Sequence, residues 1–311
     1  MKTLFYSLSD VCRMQPSVAT VGFFDGVHLG HQYVVSQLQE EARRQGLPSM
    51  VITFEQPPRQ VIHPDWAPQL LTTLDEKRQL LASIGIDQLV VLRFDMAMAS
   101  LTGREFMERV LGDHLHVRTL LMGYDNRFGR GRTDGLEDFR RYGAELGIEV
   151  RQLKVAPQGD ISSTRVRQSL SAGDVAEACR CLGRPYTLSG YVVSGEHVGS
   201  VMGFPTANLK PDVSEKMLPA SGAYAVLAQL EGTQEQWHGM MNIGTRPTFD
   251  GQRQTLETHL FHYKGNLYGQ RMTISFVERL RDEQRFSSME ALTAQLRKDA
   301  EEAENILNKR S

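Results

Sequence analysis

The chain has 311 residues, 41% hydrophobic and 23% charged, enough apolar material for two folded domains and too much for a mostly disordered chain. Its 35 Lys and Arg against 37 Asp and Glu leave a formal net charge of −2, so no broad positive field is available to hold a long nucleic-acid backbone. The first residues lack the apolar core of a signal peptide and no apolar run nears the roughly 20 residues of a bilayer span. The expected location is therefore the cytoplasm, with no membrane partner.

Segments 18–23, 50–54, 88–92, 119–122 and 148–153 are short and apolar, as buried strands are, and 32–45, 74–84, 103–111 and 136–146 carry helical spacing between them. This alternation predicts an α/β, Rossmann-like domain on a parallel sheet. Thr73 with Glu76 and Thr102 with Glu105 fit the reciprocal capping box at two helix starts. At Gly183-Arg184-Pro185 the pattern turns to short strand-like segments with glycines between them, which divides the chain into 1–184 and 185–311. Segments 186–194, 223–229, 236–243, 257–263 and 271–280 predict a small antiparallel β-barrel. From Ser288 a C-terminal helix follows, with Met289, Leu292, Leu296, Ala303, Ile306 and Leu307 on one face. Cys179 and Cys181, one residue apart on a helical segment, read as reduced thiols rather than metal ligands or disulfide partners.

The densest chemistry is Gly22-Phe23-Phe24-Asp25-Gly26-Val27-His28-Leu29-Gly30-His31, where the first predicted strand gives way to the first helix. Ligands of open parallel sheets bind at that end of the strands. Glycines admit a phosphate close to the backbone, and the helix start offers unpaired amides and a positive dipole end. His28 and His31 can both face such an anion and donate hydrogen bonds to it. The stretch resembles the His-x-Gly-His signature of the nucleotidyltransferase superfamily, which class I aminoacyl-tRNA synthetases share.

Ile161-Ser162-Ser163-Thr164-Arg165-Val166-Arg167 decides between them. Hydroxyls at a helix start and a guanidinium one turn later make an anion site, although Ser163 or Thr164 can equally serve as a helix cap. The combination resembles the Ile-Ser-Ser-Thr-x-x-Arg motif of bacterial FMN adenylyltransferases. Gly123-Tyr124-Asp125-Asn126-Arg127-Phe128-Gly129 resembles the Gly-x-Asp/Asn-Phe-x-Phe-Gly loop of that family, with Asn126 where an aromatic residue is common. Phe54-Glu55-Gln56-Pro57-Pro58 matches only loosely a segment that usually carries Pro-His-Pro.

In the second half, Gly195-Glu196-His197-Val198-Gly199 precedes Gly203-Phe204-Pro205-Thr206-Ala207-Asn208, and Thr206 and Asn208 offer neutral oxygens suited to Mg²⁺. Gly222-Ala223-Tyr224, Asn242-Ile243-Gly244-Thr245-Arg246-Pro247-Thr248-Phe249 and Glu257-Thr258-His259 follow in the order seen in riboflavin kinases. Strand alternation sets Glu257 and His259 on one face. Ser200 stands where riboflavin kinases often carry a basic residue.

Taken together, the halves resemble the bacterial bifunctional riboflavin kinases/FMN adenylyltransferases, often called FAD synthetases. The resemblance implies riboflavin, FMN and ATP as small-molecule substrates, FAD as product and Mg²⁺ as the metal. It implies that Glu257 is the general base, that Thr206 and Asn208 hold Mg²⁺, and that Gly195, Gly199, Gly203 and Pro205 lie against ATP. In the first half it assigns His28, His31 and Arg167 to catalysis, Gly22, Phe23, Asp25, Gly26, Gly30, Ser163 and Thr164 to nucleotide phosphates, and Asp125 to flavin. Three other readings stay open at this point: a chain with one active domain, a flavin-responsive binder without turnover, and a tRNA-modifying nucleotidyltransferase, which the near-neutral net charge disfavours.

Overall fold

The computed structural model describes the chain except residues 11–13, 124–126, 158, 160, 195–201, 249–250 and 310–311, and the side chains of 246–248 and 251–253. Asp125, Asn126, Gly195, Gly199 and Ser200 thus lie outside the described residues. By its contacts the chain forms two units, Met1–Ile161 and Ser162–Ser311.

In the first unit, strands β1 (Lys2–Tyr6), β2 (Ser17–Val21), β3 (Ser49–Phe54), β4 (Gln88–Leu92), β5 (Val117–Met122) and β6 (Glu149–Gln152) form one parallel sheet in the order β1-β4-β3-β2-β5-β6. Helices α1 (Leu29–Gln45), α2 (Pro58–Ile62), α3 (Leu74–Ile84), α4 (Met96–Ser100), α5 (Gly103–Glu105) and α6 (Leu136–Leu146) connect them. Both faces of the sheet are covered. Ala19, Val21, Met50, Ile52, Val90 and Leu92 pack to one side, while Val18, Val51, Leu89, Val91 and Leu121 pack to the other. Period-2 alternation on a sheet buried twice explains why these strands read as unbroken apolar runs. The predicted capping boxes form at α3 and α5. Beyond α5 the helix continues over Phe106–His114 with wider π-type turns, so the segment expected to be one regular helix changes pitch.

Successive connections leave β2 toward β3 and β4 and then return to β5 on its other side. The reversal makes the carboxyl ends of β2 and β5 a topological switch point, the usual ligand position in such sheets. The segment expected to be strand through residue 23 leaves the sheet at Val21, so Gly22 and Phe23 already belong to the turn at this switch point.

The second unit opens with α7 (Ser163–Ser171) and α8 (Val175–Leu182). Strands β7 (Tyr186–Val193), β8 (Ala207–Pro211), β9 (Gly222–Leu230), β10 (Gln236–Thr248), β11 (Gly251–Leu260) and β12 (Arg271–Asp282) then close a barrel in the order β10-β11-β8-β7-β12-β9. Helix α8 packs on β7 and β12, and Arg279 of β12 donates to the carbonyls of Ala172 and Ser221 at 3.3 and 2.6 Å. Helix α9 (Met289–Asn308) lies against β9, β10 and β12, with Ala303 and Leu307 packed on Ala225, Met240, Phe261 and Val277. Met289, expected on the same face, is 47% exposed because it opens the helix beyond the barrel contact. Strand β11 starts earlier than expected and ends at Leu260, so Tyr263 lies beyond it, past a left-handed residue at His262.

Candidate active sites

In the first unit the turn between β2 and α1 is backbone under constraint. Phe24, Gly26 and Val27 have φ of 53°, 82° and 41°, a region where only glycine is at ease. Side chains from two other segments hold it there. Asp25 is 2% exposed and turns inward, where its carboxylate accepts from the amides of Leu71 and Thr72 at 3.0 Å and from the Thr72 hydroxyl at 3.2 Å. The Gly26 amide donates to Thr72 Oγ1 at 3.0 Å, and Thr53 Oγ1 donates to the Phe23 carbonyl at 3.0 Å.

This turn delivers His28 as the N-cap of α1. Its Nδ1 accepts from the His31 amide at 3.3 Å, which leaves the proton of a neutral ring on Nε2. The His28 and His31 rings stack with centroids 3.7 Å apart, and Phe24 packs on His31 at 5.0 Å. At Gly30 a Cβ would lie 3.0 Å from the Ile161 carbonyl and 3.1 Å from the His28 ring, so any side chain there would force one of them to shift. Burial pushes His31 well below the ordinary histidine value, and the charges of His28 and Lys77 act in the same direction. Its Nδ1 is buried with no hydrogen-bond partner among the described residues. A phosphate oxygen would supply that partner together with the negative charge that stabilises a protonated ring.

Lys77 of α3 reaches the underside of the same turn, a position the sequence did not reveal because a lysine on an amphipathic helix ordinarily points to solvent. After β5, Arg127, Arg130 and Arg132 are exposed.

The Ser-Ser-Thr segment begins the second unit. Ser162, rather than Ser163 or Thr164, caps α7, accepting from the Arg165 amide at 3.3 Å. Ser163 and Thr164 occupy the first turn. Arg165 is committed to Glu177 of α8 at 2.6 Å, and Arg167 lies one turn into the helix, half-buried.

In the barrel, the pairing of β8 with β11 sets Asn208 opposite Glu257, and the pairing of β10 with β11 sets Asn242 opposite Glu257 on the other side. Paired residues share a face, so Asn208, Glu257 and Asn242 form a polar row across three strands. Their neighbours Leu256, Thr258 and Leu260 are buried on the opposite face. Glu257 and Asn242 of this row line a cavity of about 310 Å³ whose wall also includes Thr206, His259, Arg281 and Asp299, a volume at the lower end for small-molecule sites. Glu257 and His259 share this face as strand alternation requires.

His259 Nδ1 lies 2.8 Å from the Pro205 carbonyl, and because a carbonyl only accepts, that nitrogen carries the proton. The bond ties β11 to the turn that carries Gly203, Pro205 and Thr206, while Phe204 packs edge-on against His259. On the far wall, Arg281 of β12 makes a bidentate pair with Asp299 of α9 at 2.7–3.0 Å, and Gln295 donates to Asp299 at 2.8 Å. Arg281 and Asp299 side chains are 14% and 3% exposed, so the bond that fastens α9 is also part of the cavity wall.

The donors suit a magnesium ion that arrives with phosphate. Thr206 and Asn208 contribute neutral oxygens beside one carboxylate, and no group of three or more His, Cys, Asp or Glu side chains able to hold a metal occurs among the described residues. Mg²⁺ normally keeps water and phosphate oxygens as its remaining ligands, so this partial set fits it.

Residues 12–165 match the FAD synthetase family and residues 182–307 match the riboflavin kinase family. A bifunctional riboflavin kinase/FMN adenylyltransferase of Escherichia coli K12 is 41% identical over 285 residues, 91% of this chain and 90% of that protein. One of Haemophilus influenzae is 36% identical over 95% of this chain and 96% of its own length, and one of Bacillus subtilis is 34% identical over 92% and 91%. Among solved structures, a crystal structure described as a macrolide-efflux protein from Streptococcus pneumoniae matches with a TM-score of 0.88 and 30% identity, covering 98% of this chain and 99% of that one. Among the described residues of this chain, no helix is long and apolar enough to cross a membrane.

Proposed function

The chain belongs to the bifunctional riboflavin kinase/FMN adenylyltransferase family, and from that premise we propose how its residues divide the work. It phosphorylates riboflavin to FMN and then adenylylates FMN to FAD with release of pyrophosphate, using ATP in both steps. The functional boundary lies at 184/185, between an adenylyltransferase part and a kinase part. Dependence on ATP supports a cytoplasmic location.

In the kinase part, Glu257 takes the proton of the riboflavin 5′-hydroxyl as that oxygen attacks the ATP γ-phosphate. The observation that carries this assignment is the strand register that puts Glu257, a residue of the cavity wall, between Asn208 and Asn242. Thr206 and Asn208 hold Mg²⁺, which when bound neutralises charge on the phosphate oxygens. His259 keeps the Thr206 segment beside β11 through its bond to Pro205. Gly195, Gly199 and Gly203 are assigned to the ATP phosphates, which leaves the cavity under α9 for riboflavin.

In the adenylyltransferase part, the FMN phosphate attacks the ATP α-phosphate and pyrophosphate leaves. The attacking phosphate is ionised near neutral pH, so the residues have charge to stabilise rather than a proton to remove. His28 and His31 donate to the phosphate oxygens from the start of α1, and Arg167 takes the leaving pyrophosphate. Gly22, Phe23, Gly26 and Gly30 admit the phosphates to the backbone. Asp25 serves them indirectly by latching the turn to Leu71 and Thr72. Ser163 and Thr164 are assigned as hydroxyl donors to nucleotide phosphate, and Asp125 as an acceptor from the flavin.

The test is a pair of reciprocal variants. Glu257→Ala is expected to lose FMN formation by about 10²- to 10⁴-fold while supplied FMN still becomes FAD. His31→Ala is expected to lose FAD formation while riboflavin is still phosphorylated. Loss of both activities in either variant would remove the division of labour.

A further inference from the structure

Lys77 is a buried ammonium that the chain's own residues leave under-satisfied. It is 2% exposed, and its Nζ has a long 3.5 Å hydrogen bond to Thr53 Oγ1 and the face of the Phe23 ring 3.9 Å away. No carboxylate lies within ion-pair distance of it among the described residues. Asp25 is near enough for its charge to be felt, but its oxygens are engaged by Leu71 and Thr72. An ammonium has three protons to donate, and leaving them unmet in the interior is costly. Such a group persists where it serves something the free chain does not contain.

The surroundings show what it serves. Thr53, which accepts from Lys77, donates in turn to the Phe23 carbonyl, and the Phe23 ring covers the ammonium. Both contacts fall on the turn that presents His28 and His31. We propose that Lys77 is a positioning residue for adenylyl transfer: its ammonium fixes the 22–28 turn through Phe23 and Thr53 and supplies the fixed positive charge beneath the nucleotide phosphates. Lys77 touches no reacting atom. Its charge acts through a poorly polarisable interior, where it is screened far less than a surface lysine would be. The inference rests on the assignment of this turn to adenylyl transfer.

Burial pulls Lys77 down to about 8, with Asp25 opposing the shift. The titratable groups that face it are Asp25 from the turn and His31 from α1, with His28 stacked on His31. Its sequence neighbours on α3 are Glu76, held in the capping box, and Arg78.

The experiment follows FAD formation from FMN and ATP in the full chain, with FMN formation from riboflavin as an internal control. Lys77→Met is expected to lower kcat by about tenfold or more, with KM for FMN within about twofold and the kinase step unchanged. Lys77→Arg is expected to recover most of the loss. In the unaltered chain, FAD formation is expected to fall as pH rises through about 8, and Lys77→Arg is expected to remove that alkaline limb, a readout independent of whether the Met variant folds. Wild-type kcat in Lys77→Met, equal loss in the Met and Arg variants, or a flat profile from about pH 7 to 9.5 would each overturn the proposal. His31→Ala runs beside them. Full activity in that variant overturns the site assignment itself, whereas its loss together with an unaffected Lys77→Met overturns the role of Lys77 alone.

Discussion

Glu257 and Asn208 face each other across the antiparallel pairing of β8 and β11, so a carboxylate and an amide oxygen from distant parts of the chain stand on one face of the barrel. If Asn208 and Thr206 share Mg²⁺, Asn208→Ala and Thr206→Ala should each need about tenfold or more Mg²⁺ to reach half-maximal FMN formation. A titration of kinase rate against Mg²⁺ reads this directly. An unchanged midpoint in both variants removes the metal assignment and leaves Glu257 untouched.

Asp299 holds Arg281 at the cavity wall. Removing one member of a buried, hydrogen-bonded pair leaves the other charge without a partner, typically at about 3–5 kcal/mol. Asp299→Ala is therefore expected to lower second-unit stability in urea titration by that order and to weaken riboflavin binding as α9 loosens. Asp299→Asn, which keeps the shape and one acceptor, should lie between. Riboflavin fluorescence in the two variants ranks them, and equal affinities would show that the pair has no bearing on the cavity.

Lys77 makes stability and activity respond to pH in opposite directions. Its folded value of about 8 lies below the ordinary lysine value, so between the two the unfolded chain binds more protons and stability rises with pH. Below about pH 8 both states are charged and the full cost of burial is present, on the order of 3 kcal/mol. Lys77→Met should thus stabilise the first unit near pH 7, with the difference shrinking toward about pH 10.5. Denaturant midpoints at three pH values check the sign. A less stable Met variant at pH 7 would mean that the Phe23 and Thr53 contacts outweigh the desolvation.

His259 offers a tautomer-specific test. Because its Nδ1–H donates to Pro205, His259→Asn can keep a donor on a shorter arm, while His259→Leu cannot. The Leu variant is expected to raise KM for ATP in the kinase step by about tenfold, with the Asn variant recovering part of it. Equal KM values across all three chains would limit His259 to packing.

The sequence carried most of the architecture because the informative signals were local. Apolar runs marked β2 to β5, and the Thr73 and Thr102 boxes marked two helix starts that the structure forms as read; the segment 148–153, expected as a buried strand, is instead the edge strand β6, in which only Val150 is buried. Strand β1 escaped because it is an edge strand in which only Tyr6 is buried, and its apolar stretch, Leu4-Phe5-Tyr6, stops at Ser7. Strand β8 escaped for a similar reason: five residues beginning just after Pro205 and ending in Pro211 read as a turn, although it is this strand that puts Asn208 beside Glu257. Alternation alone placed Glu257 with His259. It could not show that Asn242 joins them, since that depends on which strands pair. The inward turn of Asp25 depends on amides of Leu71 and Thr72, and the burial of Lys77 on Phe23 and Thr53. Neither has a signature in the residues next to it.

The order β10-β11-β8-β7-β12-β9 has a consequence for synthesis on the ribosome. The polar row needs β8, β10 and β11 in place, and the cavity beside it needs β12 and α9 as well. A nascent chain lacking α9 has part of the barrel surface but not the wall that Leu292, Leu296 and Asp299 give the cavity. Riboflavin phosphorylation should therefore arise in one late step of translation, after that helix emerges, rather than grow with each strand added.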